Sequence, residues 1–219
     1  MRVTKPQLQS IISTNKPVIF VELMRYNRGS MYFPVMMKVK GEACLVVGGG
    51  AVALQKSRAL RRAGADVSAV SPSFSAAFRK LDVRRIRRRF RSGDVRGRVL
   101  VIAATDSPAT NWQVHKACRR RGIPVNVVDV PELCSFIVPS ILRRGPVVIA
   151  VSTGGQSPPL AKALRRSLDA ALPRSLGKTA TRLGAARRRI LRALPPSPAR
   201  TRLLKRLVRG LKLLRAEGR

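Results

Sequence analysis

The 219-residue chain carries 45 lysines and arginines against 10 acidic residues, a formal charge of +35, and 45% of its residues are apolar. The apolar share supplies a core and excludes a collagen-like or disordered chain, and the charge predicts attraction to anions. The cysteines Cys44, Cys118 and Cys134 are widely spaced and His115 stands alone, which argues against a disulfide framework and a His-based zinc site.

No apolar run reaches the roughly 20 residues that a spanning helix needs. The N-terminus lacks the unbroken apolar centre of a signal peptide. A soluble protein of the reducing cytoplasm is expected.

Residues 1–30 show no clear periodicity and are expected to be either a misassigned start or poorly ordered. From Met31 onward, strand and helix signals alternate. Cys44 to Val47 predicts a strand ending in Gly48-Gly49-Gly50, and Ala51 to Ala63 a helix stopped by Gly64. Strands follow at Val67–Val70 and Val99–Ala104, then a helix from Thr110 to Arg121 stopped by Gly122, then a buried strand at Val125–Val128. Such alternation predicts a parallel sheet covered on both faces.

After Asp129, prolines 131, 139, 146, 158 and 159 break the chain around one more strand, Val147–Val151. A helix is expected from Leu160 to Leu172. Beyond Pro173, leucines at helical spacing among arginines predict a small helical domain. Its last helix carries Leu203, Leu204, Leu207, Leu211 and Leu214 on one face.

The chemistry begins where the first strand meets its helix. Consecutive glycines allow a tight turn, and the helix N-terminus offers unpaired N–H groups and a favourable dipole to a pyrophosphate. A purely structural turn is the competing reading. The second strand ends Val70-Ser71-Pro72-Ser73, without the carboxylate that commonly grips an adenosine ribose, so Ser73 and backbone groups would have to replace it.

Six motifs occur in order: Tyr32-Phe33-Pro34-Val35; the glycine loop with Val52, Ala53 and Lys56; Ala103-Ala104-Thr105-Asp106; Asn126-Val127-Val128-Asp129; Ser135 to Ser140; and Ser152 to Pro158. Together they resemble the precorrin-2 dehydrogenase / sirohydrochlorin ferrochelatase family, the dehydrogenase part of sirohaem synthases. The resemblance spans about Met31 to Pro173. It implies an α/β protein with a Rossmann-type NAD-binding domain at 31–138, a dimerisation region at 139–172 and a helical domain at 173–219.

It further implies oxidation of precorrin-2 to sirohydrochlorin with NAD, in some members followed by ferrous iron insertion, in a homodimer. Motif matching puts the active-site aspartate at Asp129. NAD contacts fall at Gly48, Gly49, Gly50, Ala51, Val52, Pro72, Ser73, Thr105 and Asp106, and substrate contacts at Asn126, Thr153 and Gly154. Gln55 departs from the family, in which many members carry arginine beside the lysine.

The residues alone keep other roles open. Asp129 follows a buried strand, where an acid meets ligand at a sheet's carboxyl edge, but it also suits a turn before Pro131. Thr153 suits a substrate carboxylate or a turn. Asn126 suits fixing the loop that carries Asp129. Asp106 suits a cofactor contact, or more strongly a helix cap. A non-catalytic dinucleotide-binding or tetrapyrrole-carrier protein is the alternative function.

The positive charge suits a substrate with eight carboxylates, but most of it reads as a solvated face. The arginines at 84, 85, 87, 88, 89 and 91 would line an exposed edge strand. With 4% aromatic residues and no recognition motif, specific nucleic-acid binding is not expected. His115 reads as a surface or packing residue.

Overall fold

The computed structural model describes residues 32–209. The expectations for residues 1–30, Leu211 and Leu214 lie outside them. The chain divides into two units, one ending at Ile137 and the other beginning at Val138.

The first unit is a five-stranded, all-parallel sheet: β1 (Ala43–Val47), β2 (Asp66–Ser71), β3 (Arg84–Arg87), β4 (Leu100–Ala103) and β5 (Val125–Val127), in spatial order β3-β2-β1-β4-β5. Three helices connect these strands: α1 (Ala51–Arg62), α2 (Ala76–Arg79) and α3 (Pro108–Arg119). Strand alternation sends neighbouring side chains into two cores. Leu45 and Val47 join Val70, Val101, Val127, Val114 and Cys118 on the α3 face. Cys44 and Val46 join Val67, Ala69, Ile102, Leu54 and Phe78 on the other. Both faces are covered, so the strands read as continuous apolar runs.

The order reverses beside β1: the chain builds outward to β3, then returns to place β4 on the other side of β1. A crevice therefore opens at the carboxyl ends of β1 and β4, the position where open α/β sheets bind ligands. Gly64 and Gly122, with φ of 86° and 64°, end their helices as the sequence predicts. β3 is an exposed edge, and its arginines discourage pairing with another chain.

The second unit contains β6 (Ser140–Arg144) and β7 (Val147–Val151), an antiparallel hairpin, with α4 (Pro158–Ala171), α5 (Leu176–Ala193) and α6 (Pro198–Arg206). Two points differ from the sequence reading here. Val147–Val151 is a strand as expected, but it pairs with one that was not, Ser140–Arg144, which its charge conceals. The prolines read as breaks at 158 and 159 instead begin α4.

That second change has a common cause. Ser107-Pro108, Ser157-Pro158 and Ser197-Pro198 each start a helix, with the serine hydroxyl accepting from the N–H of Thr110, Leu160 and Arg200 respectively, at 3.2, 3.3 and 3.2 Å. Proline is tolerated at the first helical position because its missing N–H would be unpaired there. Ser107 also corrects the reading of Asp106 as the cap of α3.

The four-residue α2 persists because Phe78 is fully buried and packs at 5.0 Å, centroid to centroid, against Phe74. Phe78→Ala should destabilise the first unit by about 3–5 kcal/mol. The shift in urea midpoint at constant slope measures it.

Candidate functional site

The carboxyl edge of the sheet is assembled by backbone contacts between successive loops. Gly48, at φ 129°, donates its N–H to Val70 O at 2.9 Å, and a Cβ built on it would overlap the Ala104 carbonyl oxygen. A Cβ on Gly49 would overlap the Ser73 carbonyl oxygen, while Ser75 N–H donates to Gly49 O at 3.0 Å. These two glycines let the loops after β2 and β4 close on the end of β1.

Gly50 differs, with ordinary φ of −83° and open space where a side chain would stand. It is the N-cap of α1 and provides no side-chain cap. The exposed Gly50, Ala51 and Val52 therefore present the start of a 12-residue helix to an anion. This cradle fits a dinucleotide pyrophosphate.

The other residues expected at the cofactor divide by placement. Pro72 and Ser73 are exposed directly after β2. Thr105 is half-buried and engaged with Asn111: its hydroxyl donates to Asn111 Oδ1 at 2.8 Å, and Asn111 Nδ2 donates to Thr105 O at 3.0 Å. That pair fixes the turn into α3. Asp106 is exposed beside it.

Asp129 lies just past β5 on the same edge and is exposed. Among the described residues it is the one non-glycine with positive φ, 61°. Aspartate tolerates this region better than most residues, but it still carries strain there. Hydrogen bonds from Val128 N–H to Ala103 O at 2.9 Å and from Val130 N–H to Val127 O at 3.2 Å hold the turn around it.

Beneath that turn, Asn126 is buried, and its amide donates to Phe136 O at 3.1 Å and to Cys134 Sγ at 3.4 Å. Cys134 is buried too, accepting from Val127 N–H and donating to Val127 O, both at 3.1 Å. The donors of Asn126 are thus spent on the loop that follows Asp129.

The sequence named Lys56 only within a motif. The structure places it within the electrostatic reach of Asp129. Burial pushes its ammonium below the usual lysine value, and the negative charge of Asp129 pulls it back up. Spacing along α1 could not reveal this attraction, because it depends on where β5 ends.

In the second unit, Thr153 and Gly154 form the turn after β7. Thr153 Oγ1 accepts from Ser157 N–H at 2.9 Å and its carbonyl from Gln156 N–H at 3.1 Å, while Gly154 has φ 65° and open space around it. His115 sits elsewhere, half-buried, with Nδ1 at 2.8 Å from Leu133 O and its ring stacked on Trp112 at 5.4 Å. Among the described residues, no group of three or more His, Cys, Asp or Glu side chains is placed to hold a metal, and no helix is long and apolar enough to cross a membrane.

A parallel sheet of this order with an uncapped glycine-loop helix defines a nicotinamide-dinucleotide-binding domain, and the NAD(P)-binding family model matches residues 35–140. A second model, that of the sirohaem biosynthesis protein central region, matches residues 144–171. The chain belongs to the sirohaem-biosynthesis family that joins these two regions.

Among curated relatives, the siroheme synthase of Nitrosomonas eutropha is 50% identical over 155 residues, covering 68% of this chain and 33% of that protein. That of Thioalkalivibrio sulfidiphilus is 46% identical over 183 residues, covering 82% and 37%. The chain thus spans about a third of the length of these relatives. Among solved structures, SirC, precorrin-2 dehydrogenase, aligns with TM-score 0.69 and 25% identity over 81% of this chain and 89% of that one.

Gly49 and Gly50 should separate on mutation. Gly49→Ala must displace a backbone carbonyl, so it should lower the melting temperature by several degrees or prevent folding. Gly50→Ala meets no atom and should melt within about 2 °C of the parent, while weakening dinucleotide binding at least tenfold, about 1.4 kcal/mol. Calorimetric titration beside thermal unfolding checks both.

Proposed function

We propose that the chain oxidises precorrin-2 to sirohydrochlorin with NAD, and that Asp129 is its catalytic acid-base residue. The observation that carries this reading is the gathering of an uncapped helix start at Gly50 and a strained carboxylate at Asp129 on one sheet edge. The likeness to SirC over 89% of that protein supports the dehydrogenase step.

Precorrin-2 loses a hydride and a proton in becoming sirohydrochlorin. Bound NAD supplies the hydride acceptor. The chain's own groups hold the cofactor and manage the proton: N–H groups at Gly50, Ala51 and Val52 receive the pyrophosphate, with Pro72, Ser73, Thr105 and Asp106 around it. Asp129 takes the proton and passes it to water. The charges of Lys56 and Asp129 attract one another across the site. Asn126 positions the loop below it, and the turn of Thr153 and Gly154 offers the Thr153 hydroxyl to substrate carboxylates, with the Gly154 N–H holding the turn by donating to Ser152 Oγ at 3.1 Å. In the second reading, the same carboxylate accepts pyrrole N–H protons while ferrous iron enters as substrate.

We also propose a homodimer acting in the cytoplasm. Among its described residues the second unit buries only Leu142, Ala161 and Leu172 of its apolar side chains, and it exposes Ile141, Leu160 and Leu164. A hairpin of this kind needs further packing. The buried thiols of Cys44, Cys118 and Cys134 suit a reducing compartment.

Asp129→Asn separates chemistry from backbone strain, since asparagine also tolerates positive φ. Turnover should fall about 10²–10⁴-fold with the fold intact. Anaerobic absorbance assays with precorrin-2, run with NAD and with NADP, provide the measurement; turnover within a fewfold of the parent would reject the assignment.

Lys56→Met should lower turnover about tenfold or more, without loss of melting temperature, because burial outweighs attraction for this ammonium. The folded chain releases the Lys56 proton at lower pH than the unfolded chain, so its contribution to stability rises with pH in the range just below 10.5. In the methionine variant that rise should vanish from pH-dependent melting curves.

A further inference from the structure

The second unit holds a cleft of about 590 Å³, separate from the glycine loop, lined by Arg143, Arg144, Arg174, Lys178, Thr181 and Arg182 around Gly145 and Gly177. The cations come from β6, from the α4–α5 connection and from successive turns of α5. They converge because two glycines allow it. A Cβ on Gly177 would lie 2.7 Å from Arg144 O, and one on Gly145 would lie 3.3 Å from Gly177 Cα, so any larger residue at 177 would push α5 away from the hairpin turn.

Five like charges in one concavity repel one another, and their neutralisation within the unit is slight. Asp169, the lone carboxylate among its described residues, pairs with Arg144. Arg144 Nε is buried without an acceptor, and among the described residues Arg143, Arg174, Lys178 and Arg182 have no ion pair.

We propose that this cleft is a binding site for a small multivalent oxyanion carrying at least three negative charges, in addition to the dinucleotide and acid-base residues of the first unit. Arginine forks and a lysine ammonium suit clustered phosphate or carboxylate oxygens, and the cleft's size suits a compact ligand in place of an extended chain. The two sources of such oxygens are oligophosphates and polycarboxylates.

The test uses the full chain without dinucleotide or precorrin-2, so its failure is distinct from failure of the dehydrogenase reading. Tripolyphosphate and uroporphyrin, which carries eight carboxylates, are titrated separately at 150 mM salt into three proteins: the parent, Lys178→Gln/Arg182→Gln, and the control Arg189→Gln/Arg192→Gln. The control removes the same charge from exposed positions of the same helix. The expected result is one tight site per chain for at least one probe, weakened at least tenfold by the cleft pair and less than twofold by the control. The probe that responds identifies the phosphate or the carboxylate source. No saturable binding of either probe, binding unchanged in the cleft pair, or equal weakening by both pairs, the mark of diffuse attraction, would overturn the proposal.

Discussion

Two points of backbone contact govern the first unit: the Ala104 carbonyl against Gly48 and the Ser73 carbonyl against Gly49. They draw the loops after β4 and β2 onto the end of β1. Once those loops are closed, the carboxyl edge becomes continuous, and Gly50 is left at its rim with nothing above it. The consecutive glycines thus do two different jobs. Two satisfy packing, and the third leaves room for a ligand at a helix start with no side-chain cap.

The same edge explains Asp129. β4 pairs with β5 through Val101–Val125 to Ala103–Val127, so the chain leaves the sheet beside the Ala104 turn. Asn126 and Cys134 hold the segment beneath from inside, and the tight turn forces Asp129 to positive φ while leaving its carboxylate exposed. Lys56, from α1, a different element, feels the charge of that carboxylate.

Much of this was legible in sequence. Leu45, Val101 and Val127 lie in runs whose apolar continuity reports burial on both faces, and Gly64 and Gly122 mark helix ends through their backbone freedom. Less legible were elements whose signals are not apolar. β6 buries only Leu142 among its arginines, and α2 rests on Phe78. Prolines 108, 158 and 198 follow serine caps, a pattern that separates helix starts from breaks. Asp106 resembled a cap by type, but Ser107 holds the position. The attraction between Lys56 and Asp129 could not be read at all, because no local spacing records how near α1 comes to the end of β5.

The excess charge also divides by place. β3 spreads arginines along an exposed edge, where Arg88 pairs with Asp94 at 2.6 Å and holds its carboxyl below the usual range. The second unit instead concentrates cations in one cleft. The dinucleotide cradle at the glycine-loop edge depends on neither set. Titrating NAD into isotope-labelled protein and following backbone amides by NMR tests it most directly. Gly50, Ala51, Val52, Thr105 and Asp129 should shift together while the β3 arginines stay still; shifts confined to arginine-rich surfaces, with the loop unmoved, would contradict it.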